Sequence, residues 1–196
     1  MQRVFIGIPV NKPVQQQIDE LLKPIKESLK GVRWVPEHNR HLTLAFLGNK
    51  TNRVIENLLQ SMDQAYRQET VFQTGFSGLR RFPGSTGNII ALVFDADTHL
   101  DHLFQVTQAF LVENGICISR QQFLPHITLG RIRRALPLNS IPNQQTNIHL
   151  QINKITFFQS TLTKTGSNYL ALKETGLKGR SATGVTDPIT GNGMNA

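Results

Sequence analysis

Apolar residues recur at every second position from the start of the chain. Val4, Ile6, Ile8 and Val10 alternate with Arg3, Phe5, Gly7 and Pro9, which predicts a strand with one buried face. The period then lengthens. Ile18, Leu21, Leu22, Ile25 and Leu29 are spaced for one face of a helix that Pro24 would kink or divide, and "VRWVPEHNR" leads from it into a strand "HLTLAFLG" at His41–Gly48. Thr51 opens a second helix, with Val54, Ile55, Leu58, Leu59 and Met62 on one face. Strand-like "VFQTGFSGLRRF", a turn at "PGSTGN" and a strand "IIALVF" follow. A third amphipathic helix is predicted over Thr98–Glu113, then "ICISRQQFLP" and the strand "HITLGRIR" at His126–Arg133. A Pro/Asn-rich connection spans Leu136–Asn147, and two closing strands are predicted in "IHLQINKITFFQS" and "NYLALKE".

Superposed at an offset of 85 residues, the elements coincide: Phe5 near Ile90, the helix after Lys12 near the helix after Asp97, and His41 on His126. Each half reads strand, helix, approach loop, His-strand. The expected architecture is α+β, with two pseudo-symmetric lobes, each an antiparallel sheet with helices on its outer face, around a central cleft. One bilobal domain covers residues 1–174, its halves being about 1–85 and 86–174. Residues 175–196 carry five glycines and no strand or helix period, and are read as a flexible tail outside the functional argument.

Alternation also orients the His-strands. His41 and Thr43 share one face, while Leu42, Leu44 and Phe46 share the other; His126 and Thr128 likewise oppose Ile127 and Leu129. With the apolar faces in the core, two His-Thr pairs face a cleft between the lobes. An imidazole titrates near neutrality, so one can remove a proton from a nucleophile while the other protonates a leaving oxygen. In-line displacement at phosphorus has this two-ended geometry, and threonine hydroxyls can donate to the non-bridging oxygens. A single His-x-Thr in a strand is ordinarily structural; two at matched places in a duplicated chain point to chemistry. His99 and His102, spaced i, i+3 with Asp95, Asp97 and Asp101 nearby, read as a solvated face rather than a metal site, and His149 has no evident partner. There is no phosphate-cradling glycine loop and no nucleophile elbow.

Composition adds a partner class. The 196 residues carry a formal charge of +8 and a pI of about 10.1, which favours a polyanion such as nucleic acid. Cys117 is the single cysteine, so neither an intramolecular disulfide nor a cysteine metal site can form. The apolar run Val4–Val10 is too short for a membrane span and lacks the pattern of a secretory signal, so a cytoplasmic protein without membrane partners is expected.

With "RVFIGIPV", "RWVPEHNRHLTLAFLG", "FLPHITLGRIRR" and "FFQSTLTKTGSNYLAL" in order across residues 3–172, the chain resembles the two-histidine phosphoesterase superfamily. Within it, the likeness is to the bacterial RNA 2′,3′-cyclic phosphodiesterases, also called 2′-5′ RNA ligases. The resemblance implies a monomeric hydrolase, with neither metal nor cofactor, that opens RNA 2′,3′-cyclic phosphate ends to 2′-phosphomonoesters, and that relatives can also join 2′-5′ linkages. It makes His41 the proton donor to the departing 3′ oxygen, His126 the acceptor that activates water, and Thr43 and Thr128 phosphate ligands. Arg131 is a candidate phosphate contact if the strand twists at Gly130, since strict alternation turns it away. Phe5 is a candidate for stacking on a base, and Trp34 reads as a packing anchor. Arg80, Arg81, Arg133 and Arg134 are candidates to follow an RNA backbone. Ala45 and Thr161 stand where relatives often carry arginine. The same fold acting on small cyclic nucleotides or 2′-5′ oligonucleotides, or a non-catalytic RNA-binding module, are the alternatives.

Overall fold

Each α-helix starts on a side chain that caps it. Asn11 and Thr51 accept from the N–H groups of Val14 and Val54 at 3.1 and 3.4 Å, and Asp97 accepts from His99 and Leu100 at 2.8 and 3.3 Å. These caps open α1 (Lys12–Ser28), α2 (Asn52–Ala65) and α3 (Thr98–Glu113). Helix α1 runs through Pro24 as one helix. The computed structural model describes residues 1–117, 122–133, 140–141, 143–163 and 166–179.

Nine strands accompany the helices among the described residues: β1 (Gln2–Pro9), β2 (Val32–Trp34), β3 (His41–Lys50), β4 (Phe72–Phe82), β5 (Ile89–Phe94), β6 (His126–Ile132), β7 (His149–Ile152), β8 (Lys154–Thr163) and β9 (Gly166–Gly176). The first predicted closing strand is broken at Asn153 into β7 and β8, and β2 arises inside the first approach loop. The fold is α+β, as its periodicities imply, but the two lobes are halves of one curled antiparallel sheet in the order β7-β4-β5-β6-β3-β1-β8-β9. Strand β2 lies beside β6, with Trp34 opposite Gly130. A Cβ on Gly130 would stand 2.7 Å from Val32 Cγ1 and 3.1 Å from the Trp34 ring, so the bare glycine admits this close pairing.

The pseudo-symmetry is threaded across the chain. One wall is β3-β1-β8-β9 and the other β6-β5-β4-β7, so each inner trio is a His-strand, the first strand of its half, and a strand from the opposite half. Strand β1 is therefore central, and Val4 through Ile8 are all buried, correcting the one-faced strand that alternation suggested. Val14, Ile18, Leu22 and Ile25 of α1, Ile55, Leu58 and Met62 of α2, and Leu100, Leu103, Phe110 and Leu111 of α3 join the strand residues in one core. No helix among the described residues is long and apolar enough to cross a membrane.

The order of the chain extends past the composition boundary at residue 175. Thr175 lies in β9, buried, and donates to Asp63 at 2.6 Å; Leu177 is in the core; Lys178 exchanges backbone bonds with Glu69 and Val71. Residues 180–196 of the expected tail, and Arg134, lie outside the described residues.

Candidate active site

The two His-strands meet at one position, Leu42 opposite Ile127. Both residues are fully buried, which turns their neighbours to the other face of the sheet. Continued one step either way, this antiparallel register sets His41 beside Thr128 and Thr43 beside His126. All four line a cleft of ≈ 620 Å³. The histidines therefore stand on neighbouring strands at a seam, where the two walls join, closer than the opposite walls expected from a two-sheet cleft.

Each imidazole is the first residue of its strand, and each is anchored in the same way. Nδ1 of His41 lies 2.7 Å from the Asn39 carbonyl oxygen and Nδ1 of His126 lies 2.7 Å from that of Leu124. A carbonyl can only accept, so Nδ1 carries the hydrogen and Nε2 is the atom left for the cleft. His149 opens β7 with the same contact, 2.8 Å to the Asn147 carbonyl, yet it stands on the outermost strand and does not line the cleft. The local anchor belongs to a histidine opening a strand; the seam distinguishes the two that share a site.

Each ring also packs on a phenylalanine. His41 lies 4.6 Å from the Phe5 centroid and meets Tyr169 edge-on at 5.1 Å, while His126 stacks on Phe82 at 4.1 Å. A Cβ on Gly7 would sit 2.6 Å from the Leu42 carbonyl and 3.5 Å from the His41 ring, so glycine lets β1 approach this closely. Burial drives both imidazoles toward the neutral form. The pKa of His41 falls to about 4, burial being the largest cause; its Asn39 bond opposes this, and the charges of His126 and Arg131 add to it. The pKa of His126 is also lowered, first by burial and then by Arg131, against its Leu124 bond.

A matched pair of β-bulges completes the site. On β3, Ile6 pairs with Ala45 and Gly7 with Thr43, so Leu44 is passed over; on β6, Ile90 pairs with Gly130 and Ala91 with Thr128, so Leu129 is passed over. Each bulge slips the alternation by one residue. Leu44 and Ala45 are consecutively buried, as are Leu129 and Gly130, and the next residues, Phe46 and Arg131, emerge on the histidine face. Both line the cleft. Phe46, which strict alternation put in the core, is 73% exposed. Arg131 joins the cleft, as the twist at Gly130 allowed. They occupy equivalent positions, five residues beyond each histidine. Ala45 points into the core, so its small size takes no contact from the cleft.

Phe5 lines the cleft but is only 2% exposed, with Phe158 stacked at 4.8 Å and Tyr169 edge-on at 5.0 Å. It has no open face for a base, and its visible work is to support His41. The turn before β3 is braced from beneath by a cluster that periodicity did not single out. Buried Arg40 donates to Asp19 at 2.6 Å and to Gln15 Oε1 at 3.0 Å, and Gln15 Nε2 donates to the Glu37 carbonyl at 2.8 Å. The Arg40 guanidinium holds the Asp19 carboxyl below its ordinary pKa. Asn39 Nδ2 donates to the Ser167 carbonyl at 2.7 Å, tying the carbonyl that orients His41 to β9.

Arg3 and Arg33 also line the cleft, and no Asp or Glu does among the described residues. Trp34 lines it too, packed against the core. Arg80 and Arg81 sit half-buried on β4 outside the cleft, Arg80 bonded to Ser77, and Arg133 is exposed past the end of β6. His99 and His102 take separate partners, Asp97 at 3.4 Å and Glu69 at 3.2 Å, and no group of three metal-ligating side chains gathers among the described residues.

Known proteins resemble this chain in sequence and in fold. Residues 8–90 match the family model of the LigT-like phosphoesterases. An RNA 2′,3′-cyclic phosphodiesterase of Thermotoga maritima is 27% identical over 185 residues, 90% of this chain and 96% of that protein. Among solved structures, TT0787 of Thermus thermophilus shares the fold with a TM-score of 0.79 at 24% identity, over 91% of this chain and all of that one. LigT of Escherichia coli, crystallised with 3′-AMP, does so with a TM-score of 0.73 at 24% identity, over 90% of this chain and 98% of that one. The chain thus resembles the LigT-like phosphoesterases over residues 8–90, is similar to a relative along nine-tenths of its length, and shares the fold of the solved structures.

Proposed function

We propose that the cleft hydrolyses RNA 2′,3′-cyclic phosphate ends to 2′-phosphomonoesters, with the two histidines as acid and base. The observation that carries this reading is the pair of equivalently anchored imidazoles, each with Nε2 left to one cleft that no carboxylate lines among the described residues. The names of the relatives, RNA 2′,3′-cyclic phosphodiesterases, agree with it.

The asymmetry at the fifth position after each histidine supports the division of roles that the family resemblance implies. Exposed Phe46, on the His41 wall, offers a face to the base of the terminal nucleotide. Both ester oxygens of the cyclic phosphate belong to that nucleoside and so lie toward His41; in the 2′-phosphate reading, O3′ is the one that His41 Nε2–H protonates as the P–O3′ bond breaks. Arg131, on the His126 wall, draws the non-bridging oxygens, helped by the hydroxyls of Thr43 and Thr128. Water attacks phosphorus from the far side and gives its proton to His126 Nε2. The turnover leaves His126 charged and His41 neutral, and exchange with solvent restores both. Phe5 and Tyr169 hold the His41 ring in place. With a ribose hydroxyl of a second RNA end in place of water, the same transfers form a 2′-5′ linkage.

Incubation with adenosine 2′,3′-cyclic phosphate in EDTA tests the reading. The wild type is expected to yield 2′-AMP, and His41→Ala and His126→Ala each to lose about 10²–10⁴-fold in kcat. Substantial turnover in either variant contradicts paired roles. Phe46→Ala is expected to lower kcat/KM about tenfold, the scale of one base–aromatic stack; an unchanged value removes Phe46 from the nucleoside site. Because both imidazoles are depressed in the empty cleft, the bell-shaped pH profile of kcat/KM should peak below pH 6.5, the ordinary histidine value. The bound phosphodiester anion favours imidazolium, so the bell for kcat should lie at higher pH. A kcat/KM optimum above neutrality contradicts the desolvated site.

A further inference from the structure

The cleft has a continuation that the chemistry at phosphorus does not use. A second groove of ≈ 540 Å³ lies along the same three strands, lined by Arg3, Asn49, Gln159, Ser160, Thr161 and Leu162 among others. Arg3 and Ser160 line both spaces and are paired across β1 and β8, while Asn49 pairs with Arg3 from β3. The layout is collinear. Strand β3 passes from His41 through Phe46 to Gly48 and Asn49, and β1 runs back from Phe5, under His41, to Arg3 and Gln2. The face offered to the terminal base therefore stands between the reacting phosphorus and the second groove. Arg3 is two strand residues from Phe5, ~7 Å along the chain, a distance that one step of an RNA backbone spans.

The chemistry of the groove suits a nucleotide. Arg3 is exposed and makes no hydrogen bond or ion pair among the described residues, and no carboxylate lines either space among them. Amide and hydroxyl side chains surround it, and exposed Leu162 supplies an apolar surface. An unpaired guanidinium between two adjoining grooves is a phosphate ligand waiting for its anion.

Building on the proposed phosphodiesterase reading, we infer that this groove is the subsite for the penultimate nucleotide of the RNA, with Arg3 on the phosphate that joins it to the terminal nucleoside. The cleft alone would handle a mononucleotide; the groove makes the protein a reader of RNA ends.

The test compares kcat/KM for the dinucleotide ApA 2′,3′-cyclic phosphate with that for adenosine 2′,3′-cyclic phosphate. The wild type should prefer the dinucleotide about tenfold or more, the scale of one charge-assisted phosphate contact. That ratio should fall toward one in Arg3→Gln, and also in Thr161→Glu, which brings an anion into the groove on an exposed position of β8. Using the ratio cancels any general loss of folded enzyme. The preference should also shrink as salt rises. A wild-type ratio near one, or a ratio unchanged in Arg3→Gln, overturns the subsite. Failure to hydrolyse the mononucleotide at all would instead strike the phosphodiesterase reading, so the two failures are distinguishable.

Discussion

The pairing of Leu42 with Ile127 is the constraint on which the site depends. Two fully buried aliphatic side chains face each other across the seam of the sheet, and moving either to the solvent side would expose an apolar residue at a cost of roughly 1.5–3 kcal/mol. Because alternation has a period of two, burying them presents His41, Thr43, His126 and Thr128 on the opposite face. The arrangement of the proposed site is thus specified by the core. Nothing polar need recognise anything polar for the two imidazoles to meet; the hydrophobic register brings them together and two backbone carbonyls then set their tautomers.

The duplication explains how such a site is both symmetric and directional. The symmetric parts are the seam, the anchored imidazoles, the threonines and the bulges at Leu44 and Leu129. The directional parts occupy matched positions with different chemistry: Phe46 against Arg131, and Asn39, tied to β9, against Leu124. In the proposed reading, an aromatic face beside one histidine and a guanidinium beside the other would orient a nucleotide along the seam. The groove around Arg3 continues the Phe46 side of the cleft, and the position equivalent to Phe46 on the other wall is Arg131.

Period-two and period-3.6 patterns made much of this legible before any coordinates. Residues Thr98–Glu113 and Ile89–Phe94 form the elements their spacing implies, and the repeated His-x-Thr pairs do converge. What alternation could not see were its own interruptions. A bulge is a relation between two strands, and the residues passed over at Leu44 and Leu129 are identifiable only once Gly7 and Ala91 have partners. That is why Phe46 read as core and Arg131 as facing away. The enclosure of Phe5 has a related cause: its cover comes from Phe158 and Tyr169, more than 150 residues downstream, on strands whose place beside β1 no local pattern encodes. Arg40 carried no periodic signal because its burial is polar, matched by Gln15 and Asp19. Glycine-rich composition likewise hid Thr175 and Leu177, whose order depends on Asp63 and the core.

In the proposed mechanism the two halves divide the proton transfers, His41 serving the leaving oxygen and His126 the attacking water. A substrate whose 3′ bridging oxygen is replaced by sulfur isolates the first role, because a thiolate departs without protonation. Kinetics of His41→Ala and His126→Ala on this cyclic 3′-thio substrate, against the oxygen parent, test the division directly. Sulfur is expected to restore turnover to His41→Ala and to leave His126→Ala inactive. Restoration of His126→Ala instead, or of both equally, would contradict that division.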